Sequence, residues 1–265
     1  MNIKEFINKF ERIIPNNLAL SFDNVGLLIG SEEREITGIY VCLDINDDII
    51  EYVRRHNINT IISHHPIIFN SLKQVVDDKS VSRKIMKCIS YNINVISYHT
   101  NLDAAINGMN DKLVDILNFE YKSIEILELN SINSKCGIGR ILNLKKSLDI
   151  MFIIDEIKKK FNIGKLKFVD SGNKEINKVC VINGSGNSMI KTCFGKNIDL
   201  VITGDITYHT AFESIENKVS LIDMGHFNSE NIVYIEVMKN FIQDIIEKDI
   251  SVYYDSLLTD VYKYV

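Results

Sequence analysis

Short apolar runs rich in β-branched residues alternate along this chain with longer stretches of helical period. "GIYVCLD" (38–44) reads as a strand and "INDDIIEYVRRHN" as a helix, with Asp47 and Asp48 in its first turn. "INTIIS" (58–63) is again a strand, "KSVSRKIMKCISYN" a helix and "INVISY" (93–98) a strand. Parallel strands need a long crossover, usually a helix, to bring the chain back to the same end of the sheet. The alternation therefore predicts an α/β fold with mixed, mostly parallel sheets.

The pattern occurs twice. "NKVCVINGSGNSMIKTCFGKNIDLVITGD" (177–205) lies beside "GIYVCLDINDDIIEYVRRHNINTIISHH" (38–65): a Val-Cys strand, a helix, an Asn-Ile, an apolar strand, then polar residues. "VSLIDMGHFNSE" (219–230) lies beside "NVISYHTNLD" (94–103), and each has a histidine followed four positions later by an acid, His99 with Asp103 and His226 with Glu230. This predicts an internal duplication, with one α/β unit over 1–127 and a second over 128–265. The middle, 134–173, reads as strand, amphipathic helix, strand. No Pro/Gly/Ser-rich linker separates the halves.

Composition removes some function classes. The net charge of -5 weighs against nonspecific nucleic-acid or anionic-membrane binding, which needs a basic surface. No apolar run reaches about 18 residues, so no spanning helix is expected. The N-terminus reads as a short amphipathic helix ending before Pro15 rather than as a signal peptide. The five cysteines are odd in number, lack a CxxC and several sit in apolar runs, which fits core thiols in a reducing cytoplasm.

The chemistry sits at strand ends, where α/β sheets bind ligands. His64 and His65 follow 58–63; His99 and Asp103 follow 93–98; Asp205 and His209 follow 199–203; His226 and Glu230 follow 219–223. Of the six histidines only His56 lies elsewhere. Neighbours on a regular strand point to opposite faces, so His64 and His65 serve two ions, or one serves an ion while the other packs. Imidazole and carboxylate without thiolate suit Zn, Fe or Mn, and two such ions imply hydrolysis. Asp103 reads equally as a helix N-cap, and Glu230 as a first-turn carboxylate favoured by the helix dipole. "NGSG" (183–186) offers a weak phosphate cradle. Asp23 and Asp44 end turn or apolar segments without a clear role.

"DNVGLLIG" (23–30), "SHHPIIF" (63–69), "HTNLDAA" (99–105), "GSG" (184–186), "TGDITYH" (203–209) and "DMGHFNSE" (223–230) occur in an order that resembles the dinuclear-metal-centre hexameric family. Its members are named GTP cyclohydrolase 1 type 2 homologues or NGG-one-interacting-factor-three-like proteins. The resemblance implies two intertwined, structurally similar α/β units with the metal site between them. It also implies a toroidal homohexamer and two divalent ions per chain. Residue by residue, the ligands carried over are His64, His65, Asp103, His226 and Glu230; His99 and His209, which the resemblance does not make ligands, come from the strand-end reading as proton-transferring catalytic candidates. The implied activity is hydrolysis of a nucleotide-like small molecule at a cyclic amidine C–N bond by metal-activated water. The alternative is a hexameric metal-binding regulatory protein without catalysis. Phe227 departs from the tyrosine common after the Gly-His, and the middle of the chain is compact, as in the minimal form of the family.

Overall fold

The computed structural model describes residues 1–263. In chain order the helices and strands are α1 (Ile3–Glu11), β1 (Gly26–Ile29), β2 (Ile39–Cys42), α2 (Asp47–Arg55), β3 (Thr60–Ser63), α3 (Ser80–Ser90), β4 (Asn94–Ser97), α4 (Thr100–Ala104), α5 (Met109–Leu117) and β5 (Tyr121–Leu129). They continue with β6 (Gly137–Asp149), α6 (Ile150–Phe161), β7 (Lys167–Val169), β8 (Glu175–Ser185), α7 (Ile190–Cys193), β9 (Leu200–Gly204), α8 (Tyr208–Glu216), β10 (Ser220–Asp223), α9 (His226–Gln243) and β11 (Val252–Tyr254).

The described residues form two compact units, residues 1–102 with 234–259 and residues 103–233 with 260–263. The expected boundary at 127/128 falls inside β5, whose pairing with β6 binds both sides of it into one sheet. The chain instead changes unit at 102/103, inside α4, and at 233/234, inside α9.

The first unit carries a sheet of order β1-β4-β3-β2-β11, antiparallel only between β1 and β4. Its inner strands β2, β3 and β4 are buried along their whole length, as a sheet covered on both faces requires. α2 shows how sequence makes these crossovers. Asn46 caps it by accepting from the Ile49 N–H, Asp47 and Asp48 favour its positive end, and Ile49, Ile50 and Val53 face the core. α1 has the full reciprocal cap between Asn2 and Glu5 and buries Ile3, Phe6 and Phe10. The tail, unread in the sequence, supplies β11, parallel to β2, and Tyr40 donates to Asp255 at 2.7 Å.

The second unit carries a sheet of order β5-β6-β8-β9-β10-β7, with parallel pairing at β8-β9 and β9-β10. Within it, β7-β10-β9-β8 repeats β1-β4-β3-β2 in order and direction: an antiparallel edge strand, then three parallel ones. The duplication read from the sequence is thus present as two similar α/β units. One expected element shrinks. Between β8 and β9 stands a 3₁₀ turn followed by the four-residue α7, where the first unit has the nine-residue α2. Gly195, at φ +75°, follows the short helix. Among the described residues no helix is long and apolar enough to cross a membrane.

Candidate metal centre

In the first unit His64 and His65 follow β3 directly. The strand ends at Ser63, so the alternation that would send their rings to opposite faces no longer applies. Their ring centroids are 5.2 Å apart, and His99, just after β4, stands 5.1 Å from His64 and 5.7 Å from His65. One ligand atom from each of the three lies within 4.8 Å of the others.

The backbone of the pair is pinned on both sides. His64 and His65 N–H groups donate to the Cys42 and Leu43 carbonyls at the end of β2. Ser63 Oγ donates to the His65 carbonyl and Ser97 Oγ to the His64 carbonyl, each at 2.8 Å. The rings are fixed as well. His64 Nδ1 meets the Tyr98 carbonyl at 2.9 Å, His65 Nδ1 meets Asp44 Oδ1 at 2.9 Å and His99 Nδ1 meets Asp23 Oδ1 at 2.8 Å. Metal-binding histidines characteristically give the second ring N–H to a carboxylate or carbonyl, which sets the tautomer and aims the other nitrogen. All three histidines follow that rule, with Nε2 as the nitrogen each would offer an ion.

Burial alone would raise the pKa of Asp23. Hydrogen bonds from His99 and from the Thr100 hydroxyl and N–H outweigh it and hold the carboxyl at about 2. Asp23 is therefore a permanent anion behind the His99 ring.

In the second unit His226 opens α9 and Glu230 follows one turn later, so both project from the same face. His226 Nε2 lies 2.9 Å from Glu230 Oε2, close enough for the two to share an ion. The opposite ring nitrogen, Nδ1, meets Asp205 Oδ2 at 2.7 Å. Asp205 sits after β9 at φ +57°, a left-handed conformation that aspartate tolerates better than most residues. Asp103 and Glu230 are both buried, at 8% and 4% exposure. Asp103 lies inside α4 and so is not its N-cap. Its carboxylate accepts from Asn183 Nδ2 at 2.8 Å, and the same amide lies 3.4 Å from Glu230 Oε1.

The "NGSG" turn is not a phosphate cradle. Its Gly184 N–H donates to Ser229 Oγ and its Gly186 N–H to Thr203 Oγ1, so both are spent inside the protein. Gly184 makes room for Glu230 instead. A Cβ there would stand 1.8 Å from Glu230 Oε1. His209 is exposed on the first turn of α8 against Tyr208, and among the described residues it belongs to no cluster of potential ligands. Sequence reasoning left Asp23 and Asp44 without a role, placed Asp205 at a strand end without naming what it does, and read Asn183 only as part of a phosphate turn. Aspartate at a strand end was the available signal for Asp44 and Asp205; nothing local marked Asn183.

Beside His65, at the carboxyl ends of β2 and β3, the first unit holds a cavity of about 370 Å³. Ile67, Phe69 and Leu72 give it apolar walls, and Asp44, His65 and Lys84 give it polar ones. This is the crevice where an α/β sheet takes its ligand.

The sequence profile of the Duf34/NIF3 (NGG1p interacting factor 3) family matches residues 1–256. A protein of Clostridium perfringens (strain 13 / Type A) named GTP cyclohydrolase 1 type 2 homolog is 36% identical over 250 residues, 94% of either chain. A protein of the same name from Clostridium acetobutylicum is 37% identical over 230 residues, 87% of this chain and 85% of the other. Among solved structures, a hypothetical protein of Staphylococcus aureus matches with a TM-score of 0.89 at 27% identity, over 100% of this chain and 99% of that one. A Bacillus cereus protein related to NIF3 matches in fold with a TM-score of 0.87 at 20% identity, over 100% and 99% of the two chains. With a family profile covering all but the last residues, and relatives above one-third identity along most of its length, this chain belongs to the Duf34/NIF3 (NGG1p interacting factor 3) family.

Proposed function

We propose that the chain is a metal-dependent hydrolase in which His64, His65, Asp103, His226 and Glu230 hold two divalent ions. The observation that carries this reading is the anchoring of ring nitrogens. Nδ1 of His64, His65 and His226 is engaged by a carbonyl or carboxylate, which supports Nε2 as the ligating nitrogen of each. The donor set, imidazole and carboxylate, suits Zn, Fe or Mn. When bound, such ions polarise a substrate oxygen and lower the pKa of water.

The chain's own groups supply positioning and proton transfer. His99, backed by the ionised Asp23, takes up and releases a proton at Nε2 while Nδ1 stays directed at the carboxylate. The cavity beside His65 receives a small nucleotide-like substrate, with Phe69 and Ile67 against a flat ring and Lys84 facing an anionic group. The relatives' name makes GTP the first compound to try. His209 has no part in this reading, being exposed and outside the ligand clusters. The toroidal homohexamer belongs to the same proposal, and sedimentation of the purified chain tests it.

The test is elemental analysis of protein purified without chelator, run beside turnover of nucleotides, GTP first. About two ions per chain, with metal and turnover both lost in folded His226→Ala, is the expected result. Two ions without turnover of any nucleotide would move the assignment to a metal-binding regulatory protein. Absence of metal after Zn, Fe and Mn are each supplied would end the metal reading.

A further inference from the structure

We infer that Asn183 is a positioning residue that holds the Asp103 and Glu230 carboxylates in the pose needed for ligation; the inference rests on the metal reading above. Two buried carboxylates that reach one side chain repel each other and require donors. The Asn183 amide supplies them, Nδ2 lying 2.8 Å from Asp103 Oδ1 and 3.4 Å from Glu230 Oε1. An amide brings two N–H donors and no charge. It fixes both carboxylates while leaving their full negative charge for a cation. A lysine or arginine at this place would compete with the ion it was meant to help bind.

The residue is itself held through its backbone. Its backbone N–H donates to Asn110 Oδ1 at 3.2 Å, and Asn110 Nδ2 donates to the Asp103 carbonyl at 3.0 Å. Asn110 is fully buried and Asn183 only 6% exposed, so neither relies on solvent. Gly184, next in the chain, leaves the space that Glu230 occupies.

The experiment is competition for Zn between a chromophoric chelator and the full-length chain, as wild type, Asn183→Leu and Asn183→Ala. Each variant is expected to bind Zn about 10–100-fold more weakly. Thermal unfolding in excess chelator reads the folding cost separately, and it should fall in Asn183→Leu, which keeps the volume but takes that donor from both carboxylates. Asn110→Ala, which loosens the anchor without touching either carboxylate, is expected to weaken Zn binding by less, and it decides the matter where both Asn183 variants fail to fold. Unchanged Zn affinity in a folded variant overturns the assignment of Asn183. Failure of the wild type to bind Zn, Fe or Mn overturns the metal reading on which it rests.

Discussion

Asp23 Oδ1 and His99 Nδ1 meet at 2.8 Å, with the aspartate side chain wholly buried. Thr100 adds its N–H and hydroxyl and Asn24 its N–H to the same carboxylate, so four donors hold one anion in the interior. A carboxylate stabilised in this way contributes to folding only while it is ionised.

The first prediction follows from that balance. The Asp23 pKa falls from 3.8 to about 2 in the folded chain, so its contribution is complete above pH 4 and is lost as pH falls towards 2. Asp23→Asn should cost about 2 kcal/mol at neutral pH. The gap between wild type and variant in urea unfolding should then narrow below pH 4. A gap independent of pH would show that ionisation of Asp23 is not its source.

Gly184→Ala should be far more damaging than Gly195→Ala. Both glycines have positive φ, at +59° and +75°, and both pay for an alanine there. That backbone term is about 1–3 kcal/mol. Only at Gly184 does the new methyl strike Glu230, whereas nothing lies within 4 Å of it at Gly195. Urea midpoints of the two variants give the comparison, and equal losses would remove the steric role assigned to the Glu230 contact.

All five cysteines are buried and none is disulfide-bonded. Burial pushes the Cys42 thiol well above its usual range and the Cys88 thiol up to about 12. The thiolate is the reactive form. Folded protein at pH 8 should therefore leave a thiol-specific dye almost unreacted, and urea should release all five groups. Rapid labelling of even one in the native state would contradict the burial of that residue.

Asp255→Ala should loosen the edge of the first sheet. The carboxylate accepts from the buried Tyr40 hydroxyl and from the Leu257 and Leu258 N–H groups. Loss of a hydrogen bond to a charged group costs about 1.5–3 kcal/mol. Hydrogen exchange should rise first at Val252–Tyr254, the strand next to the lost contact. Unaltered exchange there would mean that β11 is held by its ladder alone.

The strands near the histidines were legible because their apolar runs are short, β-branched and closed by polar residues, as at Thr60–Ser63. The histidines and the acids four positions after them were legible for the same reason, since strand ends are where a sheet exposes chemistry. Asn183 was not legible, because its value depends on Asp103, 80 positions away, and on Glu230, 47 positions away. β5 was missed because its side chains are mostly exposed and carry little apolar pattern. β11 was missed because three residues are too few to show a period. The unit boundaries escaped notice because they fall inside α4 and α9, where no turn residue marks them.

Those boundaries bear on how the chain is made. Every strand of the second sheet lies between residues 121 and 223, whereas the first sheet gains its last strand only at 252–254. A ribosome therefore delivers the whole of the later sheet before it delivers the edge of the earlier one. During synthesis the sheet that begins first is finished last, and β2 waits with an open flank while some two hundred residues follow it out of the exit tunnel.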